Sequence, residues 1–182
     1  HIQGFDWAKG YDWVNDKGEK KTGYFRYWAP GKVIEQNGTY YLYVTFVKPD
    51  EKMGTYVMIA DRPDGPFRFA EGNGLFAPGV EGVDSPFIVN DIDGEPFIDD
   101  DGNGYLFWRR RLAARLSADR LHLDGEPVTL ATARQGYSEG PVMFKRKGIY
   151  YYIYTLSGHQ NYVNAYMMSR ESPLTGFVKP EG

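Results

Sequence analysis

Cysteine is absent from the 182-residue chain, which excludes disulfide bonds and thiolate chemistry. No window approaches the ~20 apolar residues of a membrane-spanning helix, so no membrane partner is expected. Histidine is scarce, and His1, His122 and His159 are too scattered in the sequence for a zinc site. These absences argue against redox-cysteine, zinc-dependent and membrane-spanning proteins.

An excess of positive charge is missing as well. The formal net charge is −3 at pH 7 and the pI is about 5.6, which argues against a protein that binds the phosphate backbone of nucleic acids. The basic run Arg109–Arg111 is expected to be a solvated strand end. No nucleic-acid partner is therefore predicted.

Aromatic residues are abundant. They make up 16% of the chain, with 15 tyrosines, while the mean hydropathy is −0.53. This combination predicts an aromatic-rich core beneath a polar surface, and it is typical of β proteins. The length suits one ordinary domain, residues 1–182, in which residues 1–26 show no sustained periodicity and are expected to be a loop-rich initial segment.

One sequence unit occurs three times. Gly38 lies ten positions after Trp28, Gly102 lies nine positions after Asp93, and Gly148 lies nine positions after Glu139. A tyrosine-rich or aromatic strand follows each of these glycines, at residues 40–43, 105–108 and 150–154. Four short strands per unit, repeated at roughly 45 to 65 residues, are what the blades of a β-propeller require.

The strands within these units follow from alternating apolar residues and turn residues. Predicted strands are 32–35, 40–47, 55–60 and 67–69 in the first unit, 97–98, 105–109 and 128–130 in the second, and segments from 139 to 154 and 162 to 169 in the third. Asn37-Gly38 is the predicted tight turn of the first hairpin. Residues 112–123 alternate only loosely, but the turn at 124–127 favours sheet over helix.

Three residues are expected to meet because the first strand of each propeller blade lines the central axis. Residues just before equivalent inner strands then converge on one mouth of the channel, which would bring Trp28, Asp93 and Glu139 together. Three blades do not close a ring, since propellers have about four to eight. The fold class predicted is therefore all-β, with about three blades of a propeller.

At these residues the chain resembles glycoside hydrolase family 43, the five-bladed propeller enzymes that act on arabinose- and xylose-containing glycans. The matching segments are Trp28-Ala29-Pro30 with residues 37–43, Ile92-Asp93 with residues 97–102, Glu139-Gly140-Pro141 with residues 148–151, and the weaker 63–67. They occur in the family's order and cover residues 27–180.

The resemblance implies roles for two acids. Glu139 would be the general acid that protonates the leaving glycosidic oxygen, and Asp93 the carboxylate that modulates this acid and holds it in position. An acid that must stay protonated near neutral pH needs an apolar wall or a neighbouring negative charge, which agrees with this pair. The alternatives without a catalytic role are that Glu139 is an exposed glutamate on a hairpin and that Asp93 only caps a turn.

Family members invert the anomeric centre, using a second carboxylate that activates water at a carboxyl spacing of ~6.5–9.5 Å. The family's base is an aspartate well upstream of the Trp-Ala-Pro motif. Asp6, Asp12 and Asp16 are the only acids before Trp28, and none is followed by a first-blade pattern. The general base is therefore predicted to be missing from this chain.

Substrate binding is assigned to three further residues. Trp28 is read either as part of a sugar-binding wall or as a core residue. Trp108 and His159 are the other candidates. The Asp99–Gly104 segment resembles the start of a calcium loop, but Arg110 stands where the bidentate glutamate is needed, so an EF-hand is excluded. The resemblance implies a structural calcium with unassigned ligands and no cofactor for the chemistry.

The expected partner is an oligosaccharide or polysaccharide, and a secreted or periplasmic location is expected, with the cytoplasm as the alternative. A second function of another class also stays open: a non-catalytic carbohydrate-binding or assembly module. Three blades would expose sheet faces that a monomer rarely tolerates, which predicts self-association or another chain that supplies the missing blades.

Overall fold

The computed structural model describes residues 6–72, 74–75, 85–132, 138–156 and 163–180. The chain divides into two compact units, His1–Ile92 and Asp93–Gly182. Within the described residues the regular structure is antiparallel β-sheet, apart from one short 3-10 turn. The all-β prediction is confirmed. None of the helices in the described part of the chain has the length and apolarity needed to cross a membrane.

A short hairpin opens the first unit. Strand β1 (Tyr11–Val14) pairs with β2 (Lys20–Gly23) where the sequence predicts a loop-rich segment. The side-chain oxygen of Asn15 accepts hydrogen bonds from the backbone N–H groups of Lys17 and Glu19, and this closes the turn. Four-residue strands with charged flanks leave too little periodicity for a sequence-based prediction.

The first unit also contains a four-stranded sheet. Its strands are β3 (Arg26–Gln36), β4 (Thr39–Val47), β5 (Met53–Ala60) and β6 (Arg68–Phe69), hydrogen-bonded in chain order. The register of β3 shifts on both sides of Pro30, because proline has no N–H to donate to the ladder. Asn37 and Gly38 have φ angles of 52° and 81°, so the predicted Asn-Gly hairpin turn is confirmed.

The second unit contains a four-stranded and a three-stranded sheet. The first has strands β7 (Glu95–Ile98), β8 (Gly104–Trp108), β9 (Leu112–Leu116) and β10 (Leu123–Thr129). The second has strands β11 (Ser138–Arg146), β12 (Ile149–Leu156) and β13 (Val163–Ser169). After β13 the chain forms one antiparallel bridge between Met168 and Val178.

The two sheets of the second unit pack through aromatic rings. Every second residue of β12, beginning at Tyr150, is buried, as expected for a strand with one face in the core. Phe97 of β7 packs edge-on against Tyr150 with ring centroids 6.2 Å apart, and Phe107 of β8 lies 6.1 Å from Tyr152. The aromatic-rich core expected from the composition is therefore present, and it fixes β7 and β8 against β12.

Candidate active site

Asp93 and the residue after Glu139 are joined by a hydrogen bond. The backbone N–H of Gly140 donates to Oδ2 of Asp93 at 3.0 Å, although 47 positions separate the two residues. Asp93 lies two residues before β7, with a left-handed φ of 64°, and Glu139 is the half-buried second residue of β11. The structure thus brings together the two acids that the repeat places at equivalent positions.

A β-bulge explains how this N–H becomes available. Glu139 pairs with Thr155 and Val142 pairs with Ile153, so two residues, Gly140 and Pro141, lie opposite one on β12. Gly140 has φ 54°, a conformation that glycine adopts at little cost. The Glu-Gly-Pro sequence therefore interrupts the ladder directly after Glu139 and turns the N–H of Gly140 towards Asp93.

Two polar residues that the sequence reasoning missed lie in the same row as Glu139. Thr155 of β12 pairs with Glu139 on one side and with Asn164 of β13 on the other. The hydroxyl of Thr155 donates to Oδ1 of Asn164 at 3.3 Å. The pairing of Glu139 with Thr155 can be derived by counting from the hairpin glycine Gly148 only if the position of the bulge is known. For this reason the sequence alone did not identify Thr155 and Asn164 as neighbours of Glu139.

The opposite end of β7 is fixed by Asp99. Its Oδ1 lies 2.8 Å from Nζ of Lys145, and its Oδ2 accepts a 2.6 Å hydrogen bond from the hydroxyl of Tyr150. Burial raises the pKa of the Asp99 carboxyl, but the Lys145 ammonium and the Tyr150 hydroxyl lower it more, and the net pKa is below its usual value. Asp93 and Asp99 therefore tie both ends of β7 to the β11–β12 hairpin.

A strained turn of three arginines lies at the Asp93 end of β7. The pairing of Glu95 with Phe107 places the end of β8 beside the start of β7, and the 3-10 turn Arg109–Arg111, here called the arginine turn, follows directly. This turn lies against β11. Arg110 is exposed, but its two neighbours are half-buried, so the expectation of a solvated strand end is wrong for two of the three.

The residues predicted to bind the substrate are Trp108, Trp28 and His159. Trp108 is only 4% exposed, because β8 is buried along its whole length, so its ring has little surface to offer a sugar. That prediction is not supported. Trp28 is 38% exposed and lies in β3 of the first unit, where the guanidinium of Arg26 stacks over its ring at 5.8 Å. Its convergence with the two acids stays a prediction, and His159 lies outside the described residues.

A metal site finds no support among the described residues. No three histidine, aspartate or glutamate side chains in these ranges come together in a way that could hold a metal ion. His122, the described histidine, lies 3.2 Å from the carboxylate of Asp119 on the surface. The described residues therefore give no cluster of acidic or histidine ligands for the calcium that the resemblance implies, and no step of the proposed chemistry depends on that ion.

Antiparallel sheets whose strands follow one another in chain order, with paired acids at the starts of two first strands, define the class of protein: a β-propeller. The family model of glycosyl hydrolases family 43 matches residues 3–181, and the chain belongs to this family. The predicted fold class is confirmed, with one four-stranded blade in the first unit and a four-stranded and a three-stranded blade in the second.

Three relatives show how similar the chain is to known proteins. It is 32% identical over 127 residues to a β-D-galactofuranosidase of Aspergillus niger, an alignment that covers 68% of this chain and 35% of that protein. A solved glycoside hydrolase is 36% identical with a TM-score of 0.75, covering 97% of this chain and 43% of the other. An α-L-arabinofuranosidase from Clostridium thermocellum is 25% identical with a TM-score of 0.63, covering 85% and 50%.

The chain thus spans between about a third and half of the length of these relatives. The family assignment applies to nearly all of its residues. The activity and the substrate of the whole protein are proposals.

Proposed function

We propose that this chain supplies the acid half of the active site of an inverting glycosidase that acts on xylosides or arabinofuranosides of plant cell-wall glycans. Glu139 is the general acid and Asp93 its modulating and positioning partner. The observation that carries this proposal is the hydrogen bond from Gly140 N–H to the carboxylate of Asp93, which holds the acid-bearing strand against that carboxylate.

The reaction needs two carboxyl groups and one water molecule, and no cofactor. The Glu139 carboxyl donates its proton to the glycosidic oxygen while the bond between that oxygen and the anomeric carbon breaks. A water molecule attacks the anomeric carbon from the opposite face and gives its proton to a general base. Glu139 ends as a carboxylate and recovers its proton from solvent. The base is unassigned among the described residues of this chain.

Asp93 contributes in two ways. Its hydrogen bond to Gly140 fixes the backbone next to Glu139, which orients the acid before the substrate binds. The negative charge of Asp93 is the second contribution, because the resemblance assigns this carboxylate to modulate the acid. The hydrogen bond between Gly140 and Asp93 forms with left-handed backbone at both residues, where φ is 54° and 64°.

The test compares the wild-type chain with Glu139→Gln on nitrophenyl xyloside and nitrophenyl arabinofuranoside. We expect kcat to fall by about 10²–10⁴-fold, the usual contribution of a positioned general acid. Glu126→Gln, at an exposed position of β10, is the matched control and should keep the wild-type rate. Equal rates for the wild type and Glu139→Gln would remove Glu139 from the mechanism.

A non-catalytic carbohydrate-binding module is the second candidate, and the unassigned general base favours it. Such a module would bind xylo- or arabino-oligosaccharides in calorimetry without hydrolysing them. Turnover by the purified 182-residue chain would exclude it. Either function suits an extracellular or periplasmic protein that meets plant polysaccharides, and we propose that location. Secretion can be checked by fractionating cells that express the full reading frame.

A further inference from the structure

A cavity lies between the β1–β2 hairpin and the turn that follows β4, within the first unit. Its volume is about 670 Å³, inside the range of ~300–1,000 Å³ that is usual for small-molecule sites. The lining combines an aromatic ring with polar and charged groups and consists of Asp12, Trp13, Val14, Asn15, Asp16, Asp50 and Lys52. The proposed mechanism uses Asp93 and Glu139 and gives this cavity no role.

Both walls of the cavity are held in place. Gly23, at the base of the hairpin, is buried against the turn, and a Cβ atom there would lie 1.9 Å from the backbone oxygen of Pro49. The hydroxyl of Thr22 donates to Oδ1 of Asp12 at 2.8 Å across the two strands, and Asn15 closes the tip of the hairpin. The hairpin is thus docked at its base, and the cavity lies beside the residues nearer its tip. A ligand would meet preformed walls, which lowers the entropic cost of binding.

Trp13 supplies the aromatic surface of this cavity. It lies on the same face of β1 as Tyr11, because alternate residues of a strand point to the same side. Tyr11 packs edge-on against Phe25 of the core, with ring centroids 5.4 Å apart, whereas Trp13 is half-buried and lines the cavity. An aromatic face packs well on the C–H groups of a sugar ring, and an indole N–H can donate to a sugar hydroxyl.

The charged residues of the cavity are mostly acidic. Asp12 and Asp16 are exposed. The side chain of Asp50 is only 11% exposed, and its carboxylate lies 3.0 Å from Nζ of Lys52. A carboxylate has about four acceptor sites, so these acids can accept hydrogen bonds from a ligand. The excess of negative charge disfavours an anionic ligand. A metal ion is disfavoured too, because no three acidic or histidine side chains in the described ranges come together as ligands.

The cavity and Trp28 lie at the same end of the first sheet. Arg26, at the start of β3, pairs with Val47 at the end of β4, and the turn that lines the cavity follows Val47. The guanidinium of Arg26 lies 5.8 Å from the ring of Trp28 and also forms an ion pair with Glu51 of this turn. A glycan that contacts Trp28 therefore approaches the end of the sheet that holds the cavity.

We propose that this cavity is a subsite for a neutral sugar unit, in which Trp13 packs on the sugar ring and the carboxylates accept hydrogen bonds from its hydroxyl groups. The cavity does not include the proposed catalytic pair. The substrate class is therefore a glycan of several sugar units that is neutral at the unit in the cavity. This inference rests on the proposed function, because that function supplies the glycan as the ligand.

Calorimetry with neutral xylo- and arabino-oligosaccharides of increasing length tests this assignment. Trp13→Ala should weaken the binding of the longer compounds about tenfold, the scale of one aromatic contact. Trp13→Phe should retain part of the affinity, because an aromatic face remains. Tyr24→Ala, at an exposed aromatic position directly after β2, is the matched control and should bind like the wild type. Wild-type affinity in Trp13→Ala would overturn the inference.

Kinetics separate sugar binding by Trp13 from a purely structural role in the hairpin. Trp13→Ala should raise KM for long oligosaccharides and leave kcat/KM for nitrophenyl xyloside unchanged, because that compound has a single sugar. Equal losses on short and long substrates would mean that Trp13 only supports the fold, which would overturn the inference.

The acidic lining predicts a preference for neutral glycans. The wild-type protein should bind an unbranched xylo-oligosaccharide more tightly than one with glucuronosyl branches. Asp16→Lys and added salt should both reduce this preference, since each weakens the repulsion. Equal wild-type affinities for the two compounds would overturn the assignment to neutral sugars.

Binding and turnover together separate this inference from the proposed function. If no glycoside is cleaved, but long neutral oligosaccharides bind and Trp13→Ala weakens that binding, the inference stands and the proposed function fails. If glycosides are cleaved, but Trp13→Ala binds and cleaves the long compounds like the wild type, the proposed function stands and the inference fails.

Discussion

Asp99 and Lys145 form an ion pair of 2.8 Å that joins the end of β7 to β11, at the opposite end of β7 from Asp93. Asp99 is buried and also accepts the hydrogen bond of Tyr150. Replacing Asp99 by asparagine should lower the free energy of unfolding by about 2 kcal/mol, because the charge-assisted hydrogen bond from Lys145 is weakened. Urea unfolding measures the change.

Asp100 provides the control for this prediction, because its carboxylate also lies 2.9 Å from Nζ of Lys145 but is 84% exposed. Asp100→Asn should cost less than about 1 kcal/mol, as is usual for exposed ion pairs. Equal losses for the two variants would mean that burial of Asp99 contributes nothing.

The same interaction predicts how stability depends on pH. The pKa of Asp99 is lower in the folded protein than its usual value, with burial opposing this and the Lys145 ammonium and Tyr150 hydroxyl producing it. The stabilisation is therefore complete above the unfolded-state pKa of about 4 and is lost as the pH falls through the folded-state pKa. The stability difference between wild type and Asp99→Asn should be constant near pH 6–7 and shrink in acid. A difference that grows in acid would contradict this.

The sequence predicts those features that short-range preferences determine. Asn37-Gly38 specifies a left-handed turn locally, and the strands on both sides follow from alternation. Asp93 and Glu139 were matched by their spacing from hairpin glycines, a repeat that survives in three copies. The two residues are close in the structure because they occupy equivalent positions in neighbouring blades. This proximity could be predicted from the repeat without knowing any individual contact.

Other features depend on packing that the sequence does not reveal. The partners of Asp99 lie 46 and 51 positions away, so their contact exists only after two sheets have packed together. The left-handed conformation of Arg110 contradicts the local preference of arginine, so no propensity argument could have found it. The burial of Trp108 follows from its central strand, whereas the sequence showed only an aromatic residue at a strand end.

Asp93 can be tested for its two roles separately. In Asp93→Asn the side-chain oxygen can still accept the hydrogen bond of Gly140, but the negative charge is gone. We expect this variant to melt like the wild type and to lose at least about tenfold in kcat, because the charge through which Asp93 is proposed to modulate Glu139 is gone. Asp93→Ala should lose more activity and also some stability. Asp124→Asn, at an exposed position of β10, is the control, and a wild-type kcat for Asp93→Asn would exclude the role of charge.

Gly140 and Gly148 allow a matched comparison, because both have left-handed backbone, with φ angles of 54° and 74°, and both belong to the β11–β12 hairpin. Alanine at either position should cost about 1–2 kcal/mol, the penalty for left-handed backbone with a side chain. Only Gly140→Ala should also lower kcat, since a shift of the bulge moves Glu139. Thermal melts and initial rates together check this, and equal activity losses in the two variants would count against a role of the bulge in orienting Glu139.

The outer face of the third sheet predicts self-association. The register aligns two apolar rows on this face: Val142, Ile153 and Tyr166, and Phe144, Tyr151, Met168 and Val178. Val142, Phe144 and Tyr166 are 42%, 37% and 45% exposed, and contiguous apolar patches of this kind usually mark interaction surfaces.

Sedimentation over a series of protein concentrations should show a second copy binding here. Val142→Thr with Tyr166→Ser should shift the protein towards monomer, whereas Val128→Thr, at an exposed position of β10, should not. A wild-type protein that stays monomeric at every concentration would show that this face does not bind a second copy.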